Sequence, residues 1–426
     1  MSLINSSNDM TPFDLRERPV RQFLPISMLL WTVSYISTGG PKMKIRKIRM
    51  RGLKGPYLVL ATHQGPMDYY IVPRLLFPRR ANYVSDMEGF ANYGKWLYRH
   101  GGCIGKRRYT PSVEALLNMK YVLEELREPL VIFPESRHCD AGVTSQFPDN
   151  LGALAKYLKV PVVTVTAHGG YLSNPFWDES RTRKVPLSAT IEQIFTAEEL
   201  ENASANEVQA AIAARLQYDE YDWQRKNKIR ISEPWRAEGL HLPLYQCPKC
   251  RTEGRMQSYR NGIFCENCGV YWEMDEFGSL TDHSDSRTVR IPDWYRWERR
   301  NVRRQLAANK YQGIDVPVRV EALPNEKGFV ELGNGRLRHD AEGYTLSLDD
   351  MERASVRALR DVFPLRIPNS RLESTQTEYN YHGKGKCIVL STANCCYYVY
   401  SDAPEFLVTK LEFAVEESHK SRNCTE

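Results

Sequence analysis

The sequence predicts an α/β fold: a domain with a largely buried mixed sheet flanked by helices, then a small four-cysteine unit, then a β-rich C-terminal domain closed by a helix. Three observations lead there. Short apolar runs alternate with longer helical stretches between residues 42 and 232. Two Cys-x2-Cys pairs lie close together at Cys247, Cys250, Cys265 and Cys268. Beyond residue 311 apolar side chains recur at every second position. At 426 residues the chain has room for two or three domains, and 42% hydrophobic residues is ordinary for a globular protein. Its 58 Lys+Arg against 52 Asp+Glu is too small an excess to name a partner.

Residues 1–41 form an N-terminal segment. Its first 22 residues are polar, and residues 23–36 (FLPISMLLWTVSYI) make the longest apolar run. Broken by Pro25, that run falls short of the roughly twenty residues a bilayer span needs. A late start, acidic residues upstream and no small-x-small cleavage site set it apart from a signal peptide. It reads as an interfacial helix, with Trp31 and Tyr35 at headgroup level and Arg16, Arg18 and Arg21 facing anionic lipid. Packing on the domain core is the alternative.

Gly39-Gly40-Pro41 breaks the chain and opens a basic stretch holding Lys42, Lys44, Arg46, Lys47, Arg49, Arg51 and Lys54. Ile45, Ile48 and Met50 interrupt the charges, so a strand with one solvated face is as good a reading as a phosphate or membrane site. Strands are then expected at 57–61, 81–85, 130–133 and 160–166, and helices at 70–76, 111–127 and 150–158. Capping boxes at Thr196–Glu199 and Ser204–Glu207 start two more helices, and the domain, residues 42–235, closes shortly after Trp223.

Four blocks in this domain carry chemistry. At the end of the first strand stand His63 and, five positions on, Asp68; histidine suits proton transfer near pH 7, and a carboxylate fixes its tautomer. Next, Gly101-Gly102-Cys103-Ile104-Gly105-Lys106-Arg107-Arg108 joins a free backbone to three cations suited to phosphate, unless it is a solvated basic loop. A buried strand then ends in Phe133-Pro134-Glu135-Ser136-Arg137, where Glu135 and Arg137 either meet a polar substrate or close a loop as an ion pair. Last, Val160-Pro161-Val162-Val163 reads as core.

In this order the four blocks resemble the glycerolipid acyltransferase family, whose members include 1-acylglycerol-3-phosphate acyltransferases, over roughly residues 42–190. The resemblance implies that His63 is the general base, oriented by Asp68, that deprotonates an acceptor hydroxyl. That hydroxyl then attacks the thioester of acyl-CoA or acyl-carrier protein. It also implies that Arg107, Arg108, Glu135 and Arg137 bind the acceptor's phosphate. The family continues its third block Gly-Thr-Arg after the glutamate; here Ser136-Arg137-His138 follow, so the arginine comes one position early and His138 is a second candidate. The implied enzyme is a peripheral membrane O-acyltransferase on a lysophospholipid, most simply 1-acylglycerol 3-phosphate, with glycerol 3-phosphate or another lysolipid as the alternative acceptor.

The remaining elements follow in order. Residues 240–280 present four thiolates, Cys247, Cys250, Cys265 and Cys268, in the pattern of a zinc ribbon; a closed four-cysteine site leaves no open position, so Zn2+ there is structural. Residues 290–310 read as an aromatic and basic linker helix with Trp294, Trp297, Arg296, Arg299, Arg300, Arg303 and Arg304. Beside a zinc ribbon these arginines also admit a nucleic-acid-binding protein, the weaker reading because Glu298 dilutes the charge, or docking of an acidic acyl-carrier protein. In the β-rich domain, residues 311–426, Val316, Val318 and Val320 alternate, Asn334-Gly335 reads as a hairpin turn, and an amphipathic helix follows Asp402. The six other cysteines, Cys103, Cys139, Cys387, Cys395, Cys396 and Cys424, show no disulfide framework. That points to a reducing cytoplasm, with the protein on the inner face of the cell membrane.

Overall fold

In a computed structural model, which describes residues 8–178, 181–352, 354–357 and 359–423, the chain divides into two compact units. One holds residues 14–106 and 112–231; the other holds residues 232 onward, together with 107–111 and the N-terminal residues up to Phe13. Cys424 lies outside the described residues, as do the first seven residues of the N-terminal segment.

The first unit is built on seven strands: β1 (Lys44–Ile48), β2 (Leu58–Ala61), β3 (Asn82–Ser85), β4 (Cys103–Gly105), β5 (Leu130–Ile132), β6 (Val162–His168) and β7 (Ser188–Phe195). Their order is β1-β7-β6-β2-β5-β3-β4, and every pairing is parallel except β6 with β7. Around the sheet run α1 (Leu24–Ser37), α2 (Asp68–Leu76), α3 (Met87–Tyr93), α4 (Lys95–His100), α5 (Val113–Tyr121), α6 (Leu151–Leu158), α7 (Gly170–Ser173), α8 (Ala197–Asn202), α9 (Ala205–Leu216) and α10 (Glu220–Lys226).

Successive residues of the central strands feed two separate cores. Leu58, Leu60, Leu130 and Ile132 pack with Ala115, Ala155 and Ile212, from α5, α6 and α9. Val59, Ala61, Val131 and Val163 pack on the other face with Ile71, Val72 and Leu75 of α2. A strand buried on both faces has no polar positions, which is why β2 reads in sequence as an unbroken apolar run. Conversely, β1 pairs only with β7, and its Lys44, Arg46 and Lys47 are exposed. Charges of this kind keep an edge strand from pairing with another chain. Both capping boxes form, with Thr196 and Ser204 each exchanging bonds with the glutamate three residues on. The strand β7 and the edge strand β4 were not expected; β4 falls where a basic loop was one reading.

The second unit opens with a five-stranded antiparallel meander, β8 (Met256–Tyr259), β9 (Gly262–Cys265), β10 (Tyr271–Met274), β11 (Ser279–Asp282) and β12 (Thr288–Arg290). Helix α11 (Ile291–Ala307) follows, and its Trp294 is buried against Trp272 of β10, ring centroids 5.3 Å apart. The C-terminal sheet comprises β13 (Ile314–Leu323), β14 (Val330–His339), β15 (Gly343–Leu348), β16 (Leu365–Pro368), β17 (Gln376–Glu378), β18 (Cys387–Ser391) and β19 (Cys396–Tyr400). Its order is β16-β15-β14-β13-β19-β18-β17, antiparallel throughout. A short helix α12 (Ala354–Arg357) and the closing α13 (Val408–Asn423) complete it.

One expectation here is overturned. Asn334-Gly335 is not a hairpin turn: both residues lie inside β14, where Gly335 pairs with Val318 and Leu348. The glycine serves close approach instead, because a Cβ at Gly335 would sit 2.1 Å from the Ser347 carbonyl oxygen.

Candidate active site

His63 and Glu135 follow the carboxyl ends of β2 and β5, which lie side by side with Leu60 opposite Ile132. In open α/β sheets this end of the strands forms the crevice that receives ligands. The turn between β2 and α2 folds Asp68 back beneath the histidine. One Asp68 carboxylate oxygen accepts the main-chain N–H of Gln64 at 2.6 Å and of Gly65 at 3.0 Å, and lies 3.3 Å from His63 Nδ1. With Nδ1 facing a carboxylate, the proton belongs on Nδ1 and the lone pair on Nε2. Nε2 looks the other way, toward the half-exposed Tyr69, whose hydroxyl is 3.4 Å from it.

Glu135 holds the backbone of His63. Its two carboxylate oxygens accept the N–H of His63 at 2.8 Å and of Ser145 at 2.7 Å. Phe133 lies against the His63 ring, centroids 4.5 Å apart, and His138 meets it edge-on at 4.4 Å. Behind the turn, the buried Cys139 thiol donates to the Gln64 side-chain oxygen at 3.2 Å. Of these supports, Ser145 and Cys139 carried no sequence signal. Tyr69 stood next to Asp68 and could have been found by asking what flanks Nε2 on the first turn of α2.

The acids here are perturbed. Burial drives the Asp68 carboxyl up to about 7, against the opposing main-chain bonds from Gly65 and Gln64. Burial also drives Glu135 up to about 8, against the bonds from His63 and Ser145 and with the neighbouring Asp68 charge adding to the rise. Glu220, on α10, is pushed up to about 7 by burial, opposed by the Tyr218 hydroxyl. Only ionised Asp68 stabilises an imidazolium at His63. Activity that uses this pair therefore rises with pH as Asp68 loses its proton near 7, and falls below it. A kcat–pH profile checks this: Asp68→Asn is expected to remove that limb and lower kcat on the order of 10²-fold, whereas an unchanged limb would assign it to another group.

The other expected ligands go elsewhere. Arg137 is buried in an ion pair with Asp140 at 2.7 Å. Arg107 and Arg108 fall in the segment that belongs to the second unit. Arg107, 2% exposed, donates to the carbonyl oxygens of Pro324, Ala393 and Asn394 at 2.8–3.1 Å. A guanidinium so engaged is a structural clamp, and sequence could not reveal it because its acceptors are main-chain atoms more than 200 positions away.

In the second unit the four cysteines converge. Their sulfurs all lie within 4.8 Å of one another, with Cys247 to Cys268 at 3.8 Å and Cys250 to Cys265 at 3.7 Å. A tetrahedral Zn2+ with Zn–S bonds of about 2.3 Å requires sulfurs about 3.8 Å apart, so the donor set fits that ion. Two matching knuckles build it. The main-chain carbonyl of Cys247 accepts from the N–H of Arg251 and that of Cys265 from the N–H of Gly269, and both donors take the left-handed conformation, at φ 63° and 72°. The Asn267 amide donates to Cys250 Sγ at 3.6 Å, the outer-shell bond typical of thiolate ligands. Nearby, Arg299 of α11 pairs with Glu416 and Glu417 of α13, and Arg303 with Glu417. Those pairings set acidic partners against two of the five arginines, and Arg299 is largely buried with them.

Comparison with known proteins completes the description. The Acyltransferase family model matches residues 42–168. No curated protein matches the chain. Among solved structures it is similar to the 1-acyl-sn-glycerophosphate (LPA) acyltransferase PlsC from Thermotoga maritima, at 15% identity and a TM-score of 0.37, over 49% of this chain and 81% of that one. Among the described residues no helix is long and apolar enough to cross a membrane.

Proposed function

We propose, from the acyltransferase domain that spans residues 42–168, that this protein moves a fatty acyl group from a thioester donor to the hydroxyl of a lysophospholipid. The favoured acceptor is 1-acylglycerol 3-phosphate. The observation that carries the reading is the orientation of His63: Nδ1 turned to a buried carboxylate, Nε2 turned away from it to the hydroxyl of the half-exposed Tyr69. His63 Nε2 takes the proton of the acceptor hydroxyl as its oxygen attacks the thioester carbon, and Asp68 stabilises the resulting imidazolium. Acyl-CoA and acyl-carrier protein both supply such a thioester. Arg107 and Arg137, expected as ligands of the acceptor's phosphate, are committed within the protein. The test is product analysis after offering purified protein labelled acyl-CoA and a mixed lysolipid pool. Labelled phosphatidic acid is expected; label only in the product of another lysolipid, or label in lysophosphatidic acid only when glycerol 3-phosphate is added to the pool, would change the acceptor, and no labelled lipid would end the reading.

The lipid acceptor implies a membrane surface, and α1 supports one. At fourteen residues it is about 21 Å long, too short to cross a hydrocarbon core of about 30 Å. It nonetheless exposes Leu24, Met28, Leu29 and Ile36, the last two at 64% and 70%. Phe77 extends this apolar surface next to Trp31, and Trp96 extends it through His100 to Phe23. Arg18 and Arg21 remain exposed but are engaged by Asn118 and Glu128, so apolar insertion is the larger part of the proposed contact. Placing Glu at both Leu29 and Ile36 is expected to lower binding to phospholipid vesicles at least about tenfold, each lost insertion costing about 1.5–3 kcal/mol. Co-sedimentation measures it, and unchanged binding would move the contact off α1. We place that contact on the inner face of the cell membrane, because cysteines without a disulfide framework suit a reducing cytoplasm.

A further inference from the structure

We propose that His138 is a second catalytic histidine, donating a ring N–H to the oxyanion that forms on the acyl carbonyl; this rests on the acyl-transfer reading above. The residues after Glu135 separate sharply because Ser136 takes the left-handed conformation, at φ 57°. Arg137 turns inward to Asp140, and Cys139 turns back to Gln64. His138, between them, faces the base: the two imidazoles are 4.4 Å apart, centroid to centroid, at 73°. Its ring also lies 6.0 Å from Tyr69 and 5.7 Å from Phe176. The side chain is half-buried.

The geometry separates two roles. An attacking oxygen in hydrogen-bond contact with His63 Nε2 brings the acyl carbon, and the oxygen on it, into the space these two rings flank. The acceptor's anionic group is several covalent bonds away from its hydroxyl and lies farther out. His138 is therefore placed for the reacting carbonyl rather than for the headgroup. A neutral imidazole N–H suffices there, and neutrality is favourable beside a His63 that becomes cationic in the same step. As the acceptor oxygen bonds to the thioester carbon, the carbonyl π pair moves to oxygen, the hydroxyl proton moves to His63 Nε2, and the oxyanion accepts from His138. Collapse re-forms the carbonyl and breaks the C–S bond, and the departing thiolate takes the proton from His63.

The experiment compares full-length wild type with His138→Phe, His138→Asn and His63→Ala in acyl transfer from acyl-CoA to lysophosphatidic acid. Phe keeps the ring packing on Phe176, and Asn keeps an N–H donor. His138→Phe is expected to lower kcat by about 10²–10³-fold with both KM values within about threefold, and His138→Asn to recover at least about tenfold of that loss. A His138→Phe kcat within about threefold of wild type overturns the assignment, as does a loss confined to the acceptor KM, which would mark a headgroup contact. In either case an inactive His63→Ala leaves the acyl-transfer reading standing. Full turnover by His63→Ala would instead remove the base, and with it the histidine pair.

Discussion

Replacing His63 by alanine is expected to lower kcat for acyl transfer by about 10³–10⁴-fold, the upper range for loss of a general base. The size follows from the surroundings. Nδ1 is held by a carboxylate, Nε2 faces the Tyr69 hydroxyl on the opposite side of the ring, and the main-chain N–H of the same residue is fixed by Glu135. A free alcohol is a poor nucleophile at neutral pH, so a positioned base contributes most to such a reaction. The substitution leaves the Glu135 and Asp68 main-chain bonds in place, so the melting temperature should change little. Steady-state kinetics with a thermal melt checks both, and full turnover in His63→Ala would sink the mechanism.

Stripping metal from the four-cysteine site is expected to unfold the five-stranded meander, the largest stability effect in the molecule. Structural Zn2+ contributes about 10–16 kcal/mol in small domains of this kind, more than a short meander can supply from its own core. Besides the ligand Cys265, the apolar side chains buried there are few: Met256, Ile263, Val270, Trp272, Met274 and Leu280. Because Trp272 packs against Trp294, loss of the metal should abolish the near-ultraviolet circular dichroism of that pair, and Cys265→Ser should do the same without a chelator. Elemental analysis showing no zinc in purified, folded protein would overturn the assignment of the ion.

These two sites were legible in sequence to different depths. For the cysteines, spacing was enough: a Cys-x2-Cys turn fixes its own geometry locally, and two such turns need only be brought face to face. For His63 and Asp68, five positions on one turn also sufficed, because the loop that joins β2 to α2 closes within itself through Gln64 and Gly65. The central strands and most helices were readable for a similar reason, since burial on one or both faces writes a period into the residues that form them. The hairpin expected at Asn334-Gly335 failed because glycine relaxes two constraints, backbone angle and close approach, and only the partner strand β15 decides which one is in use.

The cations show the limit most plainly. Arg107, Arg108, Glu135 and Arg137 stood equal in sequence as phosphate ligands. Folding assigned Glu135 to the backbone of His63, Arg137 to Asp140, and Arg107 to three carbonyl oxygens contributed by residues 324, 393 and 394. What the sequence determined by itself was every feature whose partners lie within one turn or repeat at a fixed period: the α/β alternation, the His63–Asp68 pair, the metal knuckles and the capping boxes. The destinations of long charged side chains, and which ring stands opposite the base, were decided by tertiary structure. A guanidinium reaches far and accepts any oxygen, so its partner depends on which distant main chain folding brings within range.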